Sequence, residues 1–147
     1  GDVYKRQNLH ILIFMIISSN IKATFPCDSQ RVWEVVTSLT DYSWRSDLER
    51  IEVISDTQFA EITKSGHRTT FTITRQEPRY LWEFDLENDH IKGHWIGAFS
   101  GNEKTTTIDF TEYIEPKKWF PKLLVNIYLK YMQVRYVRDL RQALRRM

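Results

Sequence analysis

The sequence has a single cysteine, Cys27. No disulfide can close within the chain, which suits a reducing compartment. Excess charge is lacking too: 21 Lys and Arg against 19 Asp and Glu leave +2 at pH 7. No global field draws nucleic acid, so none is expected as a partner. Long hydrophobic runs are absent, since the longest, Ile11 to Ile17, is far below the ~20 residues of a membrane-crossing helix. A signal peptide is the rival reading of this front end, with Lys5 and Arg6 as its basic end, Leu9 to Ile17 as its apolar stretch and Ile21-Lys22-Ala23 as a poor cleavage site. Cleavage there would delete a strand that the fold needs. No Gly-rich phosphate loop, G-x-S-x-G, H-E-x-x-H or C-x-x-C is found. Strand spacing puts His90 and His94 roughly 13 Å apart, too far to share one ion, so both read as surface histidines. His67 reads as an exposed turn residue and Cys27 as a structural thiol. No metal, cofactor or catalytic residue is assigned.

What is present is a core: 147 residues, 41% hydrophobic and 14% aromatic, suffice for one domain. The opening GDVYKRQ resembles translated adapter sequence, so residues 1–14 read as a non-native or disordered extension, with Met15 as a natural start and 15–147 as the domain. Ile16 to Phe25 reads as a strand closed by Pro26. Asp28 or Ser29 caps a helix whose apolar stripe is Val32, Trp33, Val36 and Leu39. A second short helical turn follows around Tyr42 to Leu48.

Beyond Glu49 the hydrophobic period becomes two. Five two-residue turns, centred on Asp56-Thr57, Ser65-Gly66, Pro78-Arg79, Asn88-Asp89 and Gly101-Asn102, predict six antiparallel strands. Their register makes facing pairs of Val53 with Ala60, Ile62 with Thr69, Ile73 with Phe84, Arg75 with Trp82, Trp82 with Trp95 and Trp95 with Ile108, with Gly93 opposite Phe84. One face then collects Ile51, Val53, Ala60, Ile62, Phe71, Ile73, Trp82, Phe84, Leu86, Ile91, Trp95, Ile108, Phe110 and Ile114, and it needs a cover. Pro121 to Met147 supplies one, a helix whose apolar stripe reads Leu124, Ile127, Tyr128, Tyr131, Val134, Val137, Leu140 and Leu144.

Two polar residues interrupt the apolar face, Arg75 and Glu112. They read either as groups orienting a ligand at a cavity mouth or as strand-end residues reaching solvent. A buried Glu112 would have a raised pKa and could serve as an acid or base. The rings Trp82, Phe84, Trp95, Phe99, Phe110, Tyr128 and Tyr131 read as a closed core or as the wall of a cavity. Arg138, Arg141 and Arg145 share a helical face, which solvates the helix and complements its dipole or meets an anionic surface. "PKKWFPKLL" is a membrane-touching lip or a hydrophobic staple.

The order strand, two short helices, six-strand meander, long helix resembles the helix-grip fold of the START-like, or SRPBCC, superfamily. The stretch "FPCDSQRVWEVVTSLTDYSWRSDLERIEVI" is similar to its opening and "TTTIDFTEYIE" to its last strand. The likeness is nearest the polyketide cyclase/dehydrase and lipid transport subgroup. It implies an α+β fold, a curved antiparallel seven-stranded sheet around a long C-terminal helix, with an apolar cavity between them. It also implies a cytoplasmic carrier of a hydrophobic small molecule, with no cofactor. Phe71, Ile73, Arg75, Trp82, Phe84, Trp95, Phe99, Phe110, Glu112, Tyr128 and Tyr131 are the ligand-binding candidates. A cyclase or dehydratase using the same pocket, and an interaction module with a filled core, are the alternatives. Transient membrane contact is a further partner reading, and oligomeric state is left open.

Overall fold

The computed structural model describes residues 16–146. The extension at 1–14 and the start at Met15 lie outside the described residues. Strand β1 (Ile17–Phe25) is followed by helix α1 (Ser29–Thr37), strands β2 (Leu48–Val53), β3 (Gln58–Thr63), β4 (Arg68–Glu77), β5 (Leu81–Glu87), β6 (Ile91–Gly101) and β7 (Thr106–Pro116), and helix α2 (Lys122–Arg145). The strands form one seven-stranded sheet in the order β1-β7-β6-β5-β4-β3-β2, with every neighbouring pair antiparallel. The sheet curves around α2, which is the helix-grip arrangement.

Local chemistry sets the corners. Pro26 closes β1, and the Asp28 carboxylate accepts from the Gln30 N–H at 3.1 Å to cap α1. The Thr106 hydroxyl donates to the Cys27 carbonyl at 2.8 Å, and the Ser29 N–H donates to Asn102 O at 3.0 Å. These bonds pin the β1–α1 corner to the β6–β7 turn. Val32, Trp33, Val35 and Val36 of α1 are buried. The second helical segment shrinks to a single turn, in which the Arg45 N–H donates to Tyr42 O at 3.0 Å.

The register differs from the two-residue turns at four of the five hairpins; in the third, Ile73 faces Phe84 as expected up to a bulge. Val53 faces Phe59 rather than Ala60, and Ile62 faces Arg68 rather than Thr69. Each is a slip of one residue, so β3 is turned over: Phe59 and Glu61 face the cavity side, while Ala60 and Ile62 point to the other. The two slips cancel, and Phe71 and Ile73 on β4 face inward as predicted. A bulge between Ile73 and Arg75 then opposes Arg75 to Glu83 instead of Trp82, which carries Arg75 to the outer face. The last two hairpins shift by even numbers, which preserves faces and changes partners. Phe84 faces Trp95, Gly93 faces Leu86, Trp82 faces Gly97, and Trp95 faces Glu112 rather than Ile108. A Cβ at Gly97 would lie 2.3 Å from the Trp95 ring, so glycine supplies the space in which that ring lies down.

The second half of the predicted α2 stripe, Val137, Leu140 and Leu144, packs inward as expected, but the first half does not. Leu129, Gln133 and Leu140 are buried, with Val125, Tyr136, Val137, Ala143 and Leu144 packed against the core. Leu124, Ile127, Tyr128, Tyr131 and Val134 are exposed instead. Both sides of the helix are apolar over this half, so periodicity alone does not choose between them. Polar contacts to β1 do: the Ser19 hydroxyl donates to Gln133 Oε1 at 2.8 Å and the Lys130 ammonium bonds the Asn20 carbonyl.

Candidate functional site: an aromatic cavity with one unpartnered carboxyl

Between the sheet and α2 lies a cavity of about 230 Å3. Its sheet wall is a run of rings on consecutive strands. Phe59 stacks on Phe71 at 4.9 Å, Phe71 meets Phe84 edge-on at 5.1 Å, Phe84 stacks on Trp95 at 4.7 Å, and Trp95 tilts against Phe110 at 4.7 Å. Trp82 packs edge-on against Phe84 at 5.1 Å. Ring pairs at such separations contribute about 0.5–1.5 kcal/mol each beyond area burial, so the wall holds itself together.

Phe71, Trp82, Phe84, Trp95, Phe110 and Glu112 line this cavity as predicted. The other candidates stand elsewhere. Ile73 packs beside the core without lining the cavity. Phe99 is buried toward α1, edge-on to Trp33 at 5.1 Å. Arg75 sits on the outer face with Glu77 at 2.8 Å and Glu83 at 3.8 Å. Tyr128 and Tyr131 are exposed on the outward side of α2. The bulge removes Arg75 and the outward turn of the first half of the α2 stripe removes the two tyrosines.

Glu112 projects from β7 between Trp95 on β6 and Ser19 on β1. It has no hydrogen-bond partner among the described residues. Burial pushes its carboxyl up to about 7, with Lys130 opposing weakly. Glu112 itself is half-buried, whereas three polar groups in residues lining the cavity are fully buried without partners: the Trp44 and Trp82 indole N–H groups and the Gln133 amide NH2. An indole N–H can only donate. The three unpartnered groups are all hydrogen-bond donors.

The opposite end of the cavity is a charge cluster that sequence reasoning missed. Arg45 meets Asp47 at 3.0 and 3.1 Å and Glu61 twice at 3.3 Å. Its guanidinium lies 4.9 Å from the Tyr136 ring centroid and 5.9 Å from that of Trp44. Burial works to lower the Arg45 pKa, but Glu61 and Asp47 outweigh it and hold it above its ordinary range. Burial likewise raises the Tyr136 phenol. Asp139 on α2 accepts from the Ser46 N–H at 2.8 Å and hydroxyl at 2.6 Å, while Arg135 Nε donates to that hydroxyl at 2.8 Å. Burial raises the Asp139 pKa, but these Ser46 bonds and Arg138 bring it down on balance. The turn after α1 is thus clamped to the closing helix. The signal was the Trp-Arg-x-Asp of residues 44–47, but the expected register sets Ala60 and Ile62 inward and so turns Glu61 away from the cavity.

His94 lies on the outer face, 2.7 Å from Asp85 and 3.0 Å from Glu83. Among the described residues no group of three or more His, Cys, Asp or Glu could hold a metal. Cys27 is a free thiol.

No protein-family model matches the sequence, and no curated protein does. Solved structures do match. A START superfamily protein from Mycobacterium smegmatis superposes with a TM-score of 0.81 at 10% identity, covering 88% of this chain and 97% of its own. A conserved protein from Geobacillus kaustophilus gives 0.78 at 10% identity, covering 88% and 96%. DynU16, a protein of the dynemicin biosynthetic locus, gives 0.70 at 15% identity, covering 87% of this chain and 47% of its own. The protein therefore has the helix-grip fold of START-superfamily proteins, and at these identities the likeness is one of fold.

Proposed function

We propose that this protein binds or carries a compact, largely apolar small molecule in the cavity between the sheet and α2. The observation that carries this reading is Glu112, a half-buried carboxyl without a hydrogen-bond partner among the described residues, set in a wall of aromatic rings beside three fully buried N–H groups that also lack partners. Buried polar groups are normally satisfied, and an unsatisfied one beside an open volume is suited to a ligand. The volume fixes the scale: about 230 Å3 is about eight times the ~30 Å3 that one water occupies in the liquid. That suits a molecule of one or two rings or a short acyl chain, and a whole diacyl lipid is far larger. Burial of its apolar surface at ~25 cal/mol per Å2 supplies the affinity. The protonated Glu112 and the unused N–H groups favour a neutral ligand bearing carbonyl or ether oxygens, a chemistry shared by small polyketides. No cofactor enters this reading, and a cytoplasmic location is part of it.

A second reading is favoured by the Glu112 pKa of about 7. A carboxyl poised near neutrality can give and take a proton, so a cyclase or dehydratase would use this group as its acid-base residue. The two readings separate at Glu112→Gln, which keeps a hydrogen-bond donor but cannot cycle a proton. Retained binding and lost turnover mark the enzyme. An interaction module with a filled core is disfavoured by the cavity itself.

Native mass spectrometry of freshly purified protein, followed by thermal shift against compact aromatic ketones and lactones, tests the carrier reading. A retained small molecule or a ligand-dependent rise in melting temperature is expected. Leu39→Trp, which fills the cavity from its rim, should abolish both. No retained molecule and no shift across the panel would refute it.

A further inference from the structure

The outward side of the first half of α2, with Trp119 just ahead of it, is apolar. Trp119, Leu123, Leu124, Ile127, Tyr128 and Tyr131 are each between 58% and 69% exposed. From Leu123 to Val134 these residues recur at three- and four-residue spacing, opposite the side that buries Leu129 and Gln133. The same outward line continues into Arg138 and Arg145. A contiguous apolar stripe of this length on a soluble surface marks a docking face rather than scattered exposure.

Charge selects the occupant. From Lys117 to Arg146 the chain carries nine basic residues and one acidic residue, Asp139, which is buried and bonded to Ser46. Lys117 pairs with Glu87, Arg138 with Asp139, and Lys130, Arg135 and Arg141 bond groups of β1 or the turn after α1, so Lys118, Lys122, Arg145 and Arg146 carry the surplus positive charge. A second copy meeting this face about a twofold axis would bring like charges together. An anionic bilayer complements it. Leucine and isoleucine enter the acyl boundary to roughly 5–10 Å, Trp119, Tyr128 and Tyr131 suit the headgroup level, and lysines reach upward from apolar stems. Among the described residues no helix is long and apolar enough to cross a membrane, so the helix would lie on the surface. We propose that the outward face of α2, from Trp119 to Val134 with Arg138 and Arg145 behind it, docks onto an anionic lipid bilayer. The proposal is independent of what the cavity binds.

Co-sedimentation of the full chain with phosphatidylcholine vesicles, with and without about one-third phosphatidylglycerol, tests it at ~0.15 M salt. Binding is expected to the anionic vesicles and to fall as salt rises. Lys122→Glu and Arg145→Glu should each weaken partitioning about fivefold or more. The double variant Leu124→Glu, Tyr128→Glu should weaken it at least tenfold with an unchanged melting temperature, since both side chains are exposed. Absence of vesicle binding, or binding indifferent to the double variant, would overturn the proposal. So would sedimentation equilibrium showing a dimer that the double variant dissociates, which would assign the face to a second copy.

Discussion

Glu112 lies directly across the β6–β7 ladder from Trp95, whose ring stacks on Phe84 at 4.7 Å, and both residues line the same cavity. No donor reaches the Glu112 carboxylate among the described residues, so burial favours its protonated form.

Burial raises the Glu112 pKa from 4.5 to about 7 in the folded chain. Between those values the folded state holds a proton that the unfolded state has released. Unfolding free energy therefore falls as pH rises from about 4.5 and levels off above about 7, by a total on the order of 3 kcal/mol. Glu112→Gln should flatten this slope and make the variant the more stable protein at pH 8. Urea unfolding at several pH values measures it, and an unchanged slope would mean that Glu112 is solvated.

Removing Arg45 should be among the more damaging single changes. Arg45→Ala leaves Asp47 and Glu61 buried with no counter-charge, an effect of about 3–5 kcal/mol. Arg45→Met with Asp47→Asn and Glu61→Gln should recover much of that loss, because no isolated charge is left behind. Denaturant midpoints of the single and triple variants decide this, and equal losses would contradict it.

Gly97→Ala places a methyl 2.3 Å from the Trp95 ring. The ring must move, at about 1–3 kcal/mol for overpacking. Pairing the change with Trp95→Leu should recover stability, a coupling visible in a double-mutant cycle. Additive losses would show that the two sites do not touch.

His94 should give a smaller pH effect on the outer face. Partial burial lowers its pKa, but hydrogen bonds to Asp85 and Glu83 raise it above 6.5 on balance. Its contribution is fully present below that ordinary value and is lost as pH rises through the folded one. The side chain is 34% exposed, so the effect is at most about 1 kcal/mol. Nuclear magnetic resonance titration of the His94 ring should show the raised value. Asp85→Asn with Glu83→Gln should bring it down.

The fold was legible because period-two patterning survives small errors in turn length. Slips at the Asp56-Thr57 and Ser65-Gly66 loops turned over β3 alone, and shifts of even length left Trp82, Phe84, Trp95 and Phe110 facing inward. Glu112 keeps its inward place for the same reason. Arg75 was lost because a bulge between Ile73 and Arg75 leaves no clear mark in composition. Tyr128 and Tyr131 were misplaced because α2 is apolar on two sides, and its rotation is set by Ser19 and Asn20, more than 100 residues away in sequence. The Arg45 cluster joins a turn to β3 and α2, and only the three-dimensional arrangement brings it together.

Titration of a neutral two-ring ketone such as 1-tetralone by calorimetry, at pH 6 and pH 8, tests the cavity most directly. Saturable one-site binding should be weaker at pH 8 in the natural sequence, as Glu112 loses the proton it donates to the carbonyl. It should be pH-independent in Glu112→Gln and absent in Leu39→Trp. Binding that survives unchanged in Leu39→Trp, or no saturable binding at either pH, would contradict the account.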